Sequence, residues 1–173
     1  RMFRGESIGA LDGNPGPARD AFERPLVGTG MRLDEDLVAR VLTEVEGYPF
    51  FIQLWGAELW EAAGDAGTGT FTSALLDVVE PAIYSRLDEE FYAGRVETLT
   101  PSEQDLLLDT AACPYPPLRT GDIRARSPKS EANVNVLMGR LTEAGVLYRV
   151  QKGVYEYTAP KFHQYLARRV AGL

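Results

Sequence analysis

Cysteine and histidine are nearly absent: Cys113 and His163 are the only ones in 173 residues. A lone cysteine excludes an intramolecular disulfide and points to a reducing, cytoplasmic compartment. Two such residues exclude a Cys/His metal cluster, and they leave a Cys-His nucleophile pair possible only if they meet in space. Long apolar runs are also missing. No stretch approaches the roughly 20 residues that span a bilayer, and the N-terminus lacks the basic start and apolar centre of a signal peptide. An initiator Met is missing too: the chain opens abruptly on RMFRG, which reads as a piece cut from a longer protein. Most hydrolytic chemistries therefore have no visible machinery.

The composition is that of folded protein, 45% hydrophobic with 17 Gly and 11 Pro, enough for one or two small domains. The net charge of -7 conceals a division. Residues 1–94 carry 7 Lys/Arg against 17 Asp/Glu, whereas residues 95–173 carry 11 against 8. Such a split predicts two modules with different partners, the basic one able to approach a polyanion.

Residues 1–17 read as a loop punctuated by Gly and Pro, followed by a short helical pattern from Ala18 to Leu26. Asp34 is a candidate N-cap for a helix that runs to Glu46 and stops at Gly47, with Leu33 and Val38 as a hydrophobic staple. Pro49 suits the first turn of the next helix, where its missing N–H leaves no bond unmade, and Gly64 ends it. Thr72 caps a third helix from Ser73 to about Tyr92, in which Pro81 either kinks the axis or begins a second helix. This gives an acidic helical module over residues 1–94.

The module over residues 95–173 opens on Thr100-Pro101-Ser102-Glu103, an N-cap threonine, a proline at the first helical position and a glutamate three residues on. Cys113-Pro114 ends that helix. A short helix from about Gly121 to Arg126 follows, capped by Thr120, and then a longer one capped by Ser130. In the longer helix Val134, Leu137, Met138, Leu141 and Ala144 fall on one face, and Gly145 supplies the left-handed stop. VLYRV and VYEYT are β-rich runs separated by Gln151-Lys152-Gly153, a three-residue hairpin loop, and Pro160–Val170 closes the chain as a helix. Helix, short helix, longer helix and hairpin in that order predict a mainly α fold in which the second module is a winged helix-turn-helix with a small β-hairpin wing.

The ordered set AFERPL (21–26), EGYPFFIQLWGAELW (46–60), RLDEEFYAGR (86–95), LTPSEQDLL (99–107) and GRLTEAGVLYRVQKGVYEYTAPKFHQYL (139–166) resembles the C-terminal half of P-loop ATPases of the STAND and archaeal-ATPase type, relatives of AAA+ proteins. The resemblance covers Ala18 to Leu173. It implies a helical lid bundle followed by the winged helix, and it matches Gly47, Tyr48 and Pro49 to a Gly-x-Pro motif whose proline packs near the adenine. The departures from the family are as informative. No G-x-x-x-x-G-K-S/T segment occurs, and no apolar strand ends in a carboxylate for Mg²⁺ ahead of the lid. The resemblance thus assigns ATP, Mg²⁺ and hydrolysis to a P-loop core upstream of Arg1 and no catalytic residue to this chain. The Met-His-Asp contact of plant-type relatives has no counterpart at Thr158-Ala159-Pro160, and no basic residue in GYPFF can act as a sensor arginine.

The basic third offers a second set of candidates. Asn133, Asn135 and Arg140 on the longer helix can meet base edges, with Arg124, Arg126, Lys129, Arg149 and Lys152 approaching phosphates of duplex DNA. Glu131 and Glu143 share that helix and oppose this role, so the winged helix either contacts DNA or packs on another protein. Two alternatives to the ATPase arm stand beside it: a self-contained transcription regulator with a helical ligand or dimerisation domain, and a protein-interaction scaffold. Arg168-Arg169 and the runs Asp34-Glu35-Asp36 and Asp88-Glu89-Glu90 read as helix ends and solvated faces.

Overall fold

A computed structural model describes residues 16–172; the loop expected over residues 1–15 lies outside them. The fold is mainly helical with two small sheets, and among the described residues no helix is long and apolar enough to cross a membrane. Contacts divide the chain between Arg86 and Leu87 into two compact units. The sequence placed the junction after residue 94, but the turn from Leu87 to Tyr92 belongs with the second unit.

The first unit contains α1 (Gly16–Glu23), a 3-10 turn (Arg24–Leu26), β1 (Arg32–Leu33), α2 (Glu35–Val45), α3 (Pro49–Asp65), β2 (Thr70–Phe71) and α4 (Ser73–Arg86). Gly16 and Pro17, expected in the loop, instead open α1. Asp34 caps α2 by accepting the Asp36 N–H at 3.1 Å, and Thr72 Oγ1 accepts the Leu75 N–H at the start of α4. Pro81 lies inside α4 without ending it. β1 and β2 pair in parallel, Arg32 opposite Thr70 and Leu33 opposite Phe71. The core is aromatic: Phe51 stacks on Trp55 at 5.8 Å, and Trp55 meets the edge of Tyr84 at the same distance. Ion pairs stitch the periphery, Arg19 to Glu23 and Glu35 at 2.6 Å and Arg40 to Asp77 at 2.8 Å.

The second unit begins with a π-type turn (Leu87–Tyr92) and continues through α5 (Ala93–Glu97), α6 (Pro101–Asp109), a 3-10 turn (Thr110–Ala112), β3 (Leu118–Arg119), α7 (Thr120–Arg126), α8 (Glu131–Glu143), β4 (Leu147–Gln151), β5 (Val154–Tyr157) and α9 (Phe162–Ala171). The capping box at α6 is complete, with the Thr100 N–H donating to Glu103 Oε2 at 2.8 Å; this bond holds the Glu103 carboxyl below its usual range. The sheet order is β3-β5-β4, antiparallel throughout. β3 has no counterpart in the sequence reading, because two residues after a proline run carry no alternation.

Four local expectations change. Thr120 is the first residue of α7 rather than its cap, and its Oγ1 donates to the Gly153 carbonyl, tying α7 to the hairpin turn. The hairpin loop is Lys152-Gly153 alone, since Gln151 pairs with Val154 and the ladder shifts register between Arg149 and Gln151. Ala144 is exposed, because it sits at the helix end where Gly145 turns the chain. Arg168 is not a solvated helix end: it grips Asp88 with two bonds of 2.6 and 3.0 Å, while Arg169 donates to the Tyr165 hydroxyl. Tyr92 reinforces the same junction by donating to the Pro160 carbonyl at 2.7 Å and stacking on Tyr165. These bonds are why the turn from Leu87 groups with α9.

Candidate functional site

The corner between α2 and α3 is built by three backbone requirements. Glu46 and Gly47 both take left-handed conformations, φ 46° and 69°, which reverse the chain after Val45. Glycine fits the second of these without a Cβ penalty. Tyr48 then adopts an extended conformation with its N–H on the Val45 carbonyl at 2.8 Å, and its own carbonyl accepts the Ile52 N–H. Pro49 occupies the first helical position, where it sacrifices no hydrogen bond.

Burial divides the motif. Gly47 is buried, Tyr48 half-buried and Pro49 exposed, with Phe50 beside it 47% exposed. The Tyr48 ring meets Phe51 edge-on at 5.1 Å, and through Phe51 it joins the Trp55–Tyr84 aromatic core. The corner is thus a stiff apolar surface fixed to the centre of the first unit. An exposed proline face next to the positive end of a helix suits a flat, electron-rich ring. Of the two tryptophans, Trp55 is fully buried and Trp60 is 46% exposed.

The second set of candidates lies on α8 and the hairpin. Val134, Leu137, Met138 and Leu141 face the core, so the opposite side presents Asn133, Asn135, Val136, Gly139 and Arg140. Arg149 and Lys152 are exposed on β4 and in the turn, and Arg149 Nε reaches the Gln151 carbonyl at 3.4 Å. The remaining three cations are engaged by neighbours. Arg124 donates to Asn135 Oδ1 at 2.8 Å and lies 3.6 Å from Glu131; Lys129 lies 3.5 Å from Asp105; Arg126 lies 4.0 Å from Asp122. Asn133, Arg140, Arg149 and Lys152 are what this surface offers, while Asn135 is shared with Arg124.

Near the base of α9 sits a cluster that the sequence did not signal. The Tyr157 hydroxyl bonds Thr110 Oγ1 at 2.7 Å, and Thr110 Oγ1 donates to the Leu107 carbonyl. His163 stacks on Tyr115 at 5.0 Å beside Tyr157. Burial pushes the Tyr157 phenol well above its usual ionisation range and raises the Cys113 thiol, so neither is an activated nucleophile.

Residues 89–166 match the family described as a domain of unknown function (DUF8462), which spans most of the second unit. No curated protein and no solved structure matches the chain.

Proposed function

We propose that this chain is the lid and winged-helix arm of an ATP-dependent switch protein of the STAND and archaeal-ATPase type. Catalysis belongs to a P-loop core encoded upstream, and this arm passes nucleotide state to a partner. The observation that carries the reading is a connectivity. A helix, a strand, two helices and a hairpin follow one another, with the first strand joining the hairpin in the order β3-β5-β4. That order supports reading the second unit as a winged helix. It follows a helical unit in which Gly47, Tyr48 and Pro49 lead into α3, the Gly-x-Pro pattern by which the resemblance assigns a lid helix.

In this mechanism the adenine rests on Pro49, with Gly47 and Tyr48 fixing the corner. Tyr48 is wedged against Phe51, so a push at the corner moves α3 and its aromatic core together. The displacement is then passed along the chain to the winged helix. The test is ATP binding by the product of the complete reading frame. The reading expects that frame to encode a glycine-lysine segment ahead of Arg1, and Pro49→Asp to weaken ATP about tenfold by placing a carboxylate under the base. Aspartate is a good residue for a first helical turn, so the variant folds. A frame without such a segment, or ATP affinity indifferent to Pro49→Asp, refutes the reading.

One observation favours duplex DNA as the partner of the winged helix. The outward side of α8 keeps Asn133 and Arg140 exposed, with Arg149 and Lys152 on the hairpin. Arg149 and Lys152 on phosphates give a log–log salt slope of about -2. Arg140→Glu with Lys152→Glu abolishes such binding; no binding by the parent chain even at low salt assigns the surface to a protein instead.

A further inference from the structure

The first unit contains a recess of about 410 Å³ between the α1–Leu26 segment and one side of α3. Its origin is a size pattern in the sequence. Ile52, Gly56 and Trp60 recur at four-residue spacing on one face of α3, so a residue without a side chain sits between two large ones. A Cβ added at Gly56 would stand 3.9 Å from Phe22 Cε2, an ordinary contact distance. Gly56 thus adds no side chain of its own to a recess that Ile52 and Trp60 flank and Phe22 closes. Phe22, Ile52 and Phe71 are buried at its base, and Trp60 is half-exposed at its rim.

The lining decides what chemistry it accepts. Among the described residues no Asp, Glu, Lys, Arg or His lines it. A charged group entering it would lose hydration without a partner, which excludes phosphates and carboxylates from its interior. Of the polar side chains, the Thr29 hydroxyl is already committed: it donates to the Leu26 carbonyl at 2.7 Å and accepts the Met31 N–H at 3.2 Å. The Gln53 amide remains, exposed at the edge. A volume in the range of small-molecule sites, apolar walls with a tryptophan at the mouth, and a single amide together describe one occupant class.

We propose that the cleft between α1 and α3 binds an uncharged, ring-bearing apolar small molecule, stacked against Trp60 and hydrogen-bonded once to Gln53. This site is independent of the nucleotide reading, because it needs neither an upstream core nor a phosphate.

The experiment titrates the whole chain with N-phenyl-1-naphthylamine, an uncharged aromatic with one N–H, and follows both probe emission and tryptophan quenching. Saturable one-to-one binding is expected. Gly56→Leu fills the space and weakens the probe at least about tenfold, while circular dichroism and the urea midpoint stay unchanged or rise, since leucine is the better helix former. Gln53→Leu weakens the amine several-fold and leaves 2-methylnaphthalene, which has no N–H, unaffected. Binding that never saturates, or that Gly56→Leu leaves intact, overturns the proposal. So does sedimentation showing the wild-type chain to be a dimer that Gly56→Leu dissociates, because a second copy would then occupy the cleft.

Discussion

The Tyr157–Thr110 pair in the second unit offers a sharp energetic test, because the direction of each hydrogen bond is fixed by its neighbours. Thr110 is fully buried and its Oγ1 donates to the Leu107 carbonyl, so the proton between Thr110 and Tyr157 must come from the tyrosine. Tyr157→Phe removes that donor and leaves Thr110 with its own bond intact, a loss of about 1 kcal/mol. Thr110→Val does more harm. It strands the hydroxyl of Tyr157, a residue only 5% exposed, with no acceptor, which costs about 2 kcal/mol. The double variant removes both polar groups and replaces them with apolar ones of similar shape. Its destabilisation should therefore fall below that of Thr110→Val, to about 1 kcal/mol or less against a sum of about 3, an interaction energy near -2 kcal/mol. Urea unfolding of the four proteins, followed by circular dichroism with a common slope, measures the cycle. Additivity within about 0.3 kcal/mol would show that the two hydroxyls are not coupled and that the proton assignment is wrong.

The same tyrosine predicts an alkaline weakness. Its ionisation is raised on folding by burial, so the folded chain holds a proton that the unfolded chain releases above about pH 10. The stabilisation is present below that pH and falls as pH rises. By pH 11 the parent should lose on the order of 1 kcal/mol relative to Tyr157→Phe, read from paired urea curves at pH 9 and 11. Two glycines should respond with opposite signs. Gly145 has φ 71° and open space around an added Cβ, so Gly145→Ala meets only backbone strain and loses about 1 kcal/mol. Gly139 lies inside α8, exposed and equally unobstructed, so Gly139→Ala gains about 0.5–1 kcal/mol in the same thermal or urea assay.

Local chemistry was legible wherever a single short-range rule decides the conformation. The Thr100–Glu103 capping box, the Asp34 and Ser130 caps, the proline start of α3 and the left-handed stops at Gly47 and Gly145 all lie where the residue types demand. What escaped was set by partners distant in sequence. β3 is a strand only because β5 supplies its hydrogen bonds, and Thr120 turns from a cap into a tether because the Gly153 carbonyl is beside it. The π-type turn at Leu87–Tyr92 follows from the Asp88–Arg168 and Tyr92–Pro160 bonds, which join residues 80 and 68 positions apart.

The candidate sites divide in the same way. The Gly47-Tyr48-Pro49 corner was readable because its form is local. The state of the basic residues was not: whether Arg124 or Lys129 can reach a partner depends on Asn135, Glu131 and Asp105, and composition does not reveal those pairings. The cleft beside Gly56 was invisible for a related reason. A glycine in a helix signals a space only when the opposing wall, here Phe22, is known.

The claim on which the functional reading stands is that nucleotide state reaches the second unit. The direct measurement places fluorophores at Val78→Cys and Val170→Cys, both strongly exposed, in a Cys113→Ala background of the complete gene product. The account predicts an inter-label energy-transfer efficiency that differs between the ATP and ADP states and no longer does so in Pro49→Asp. Efficiencies identical in both nucleotides, with binding of each verified, contradict it.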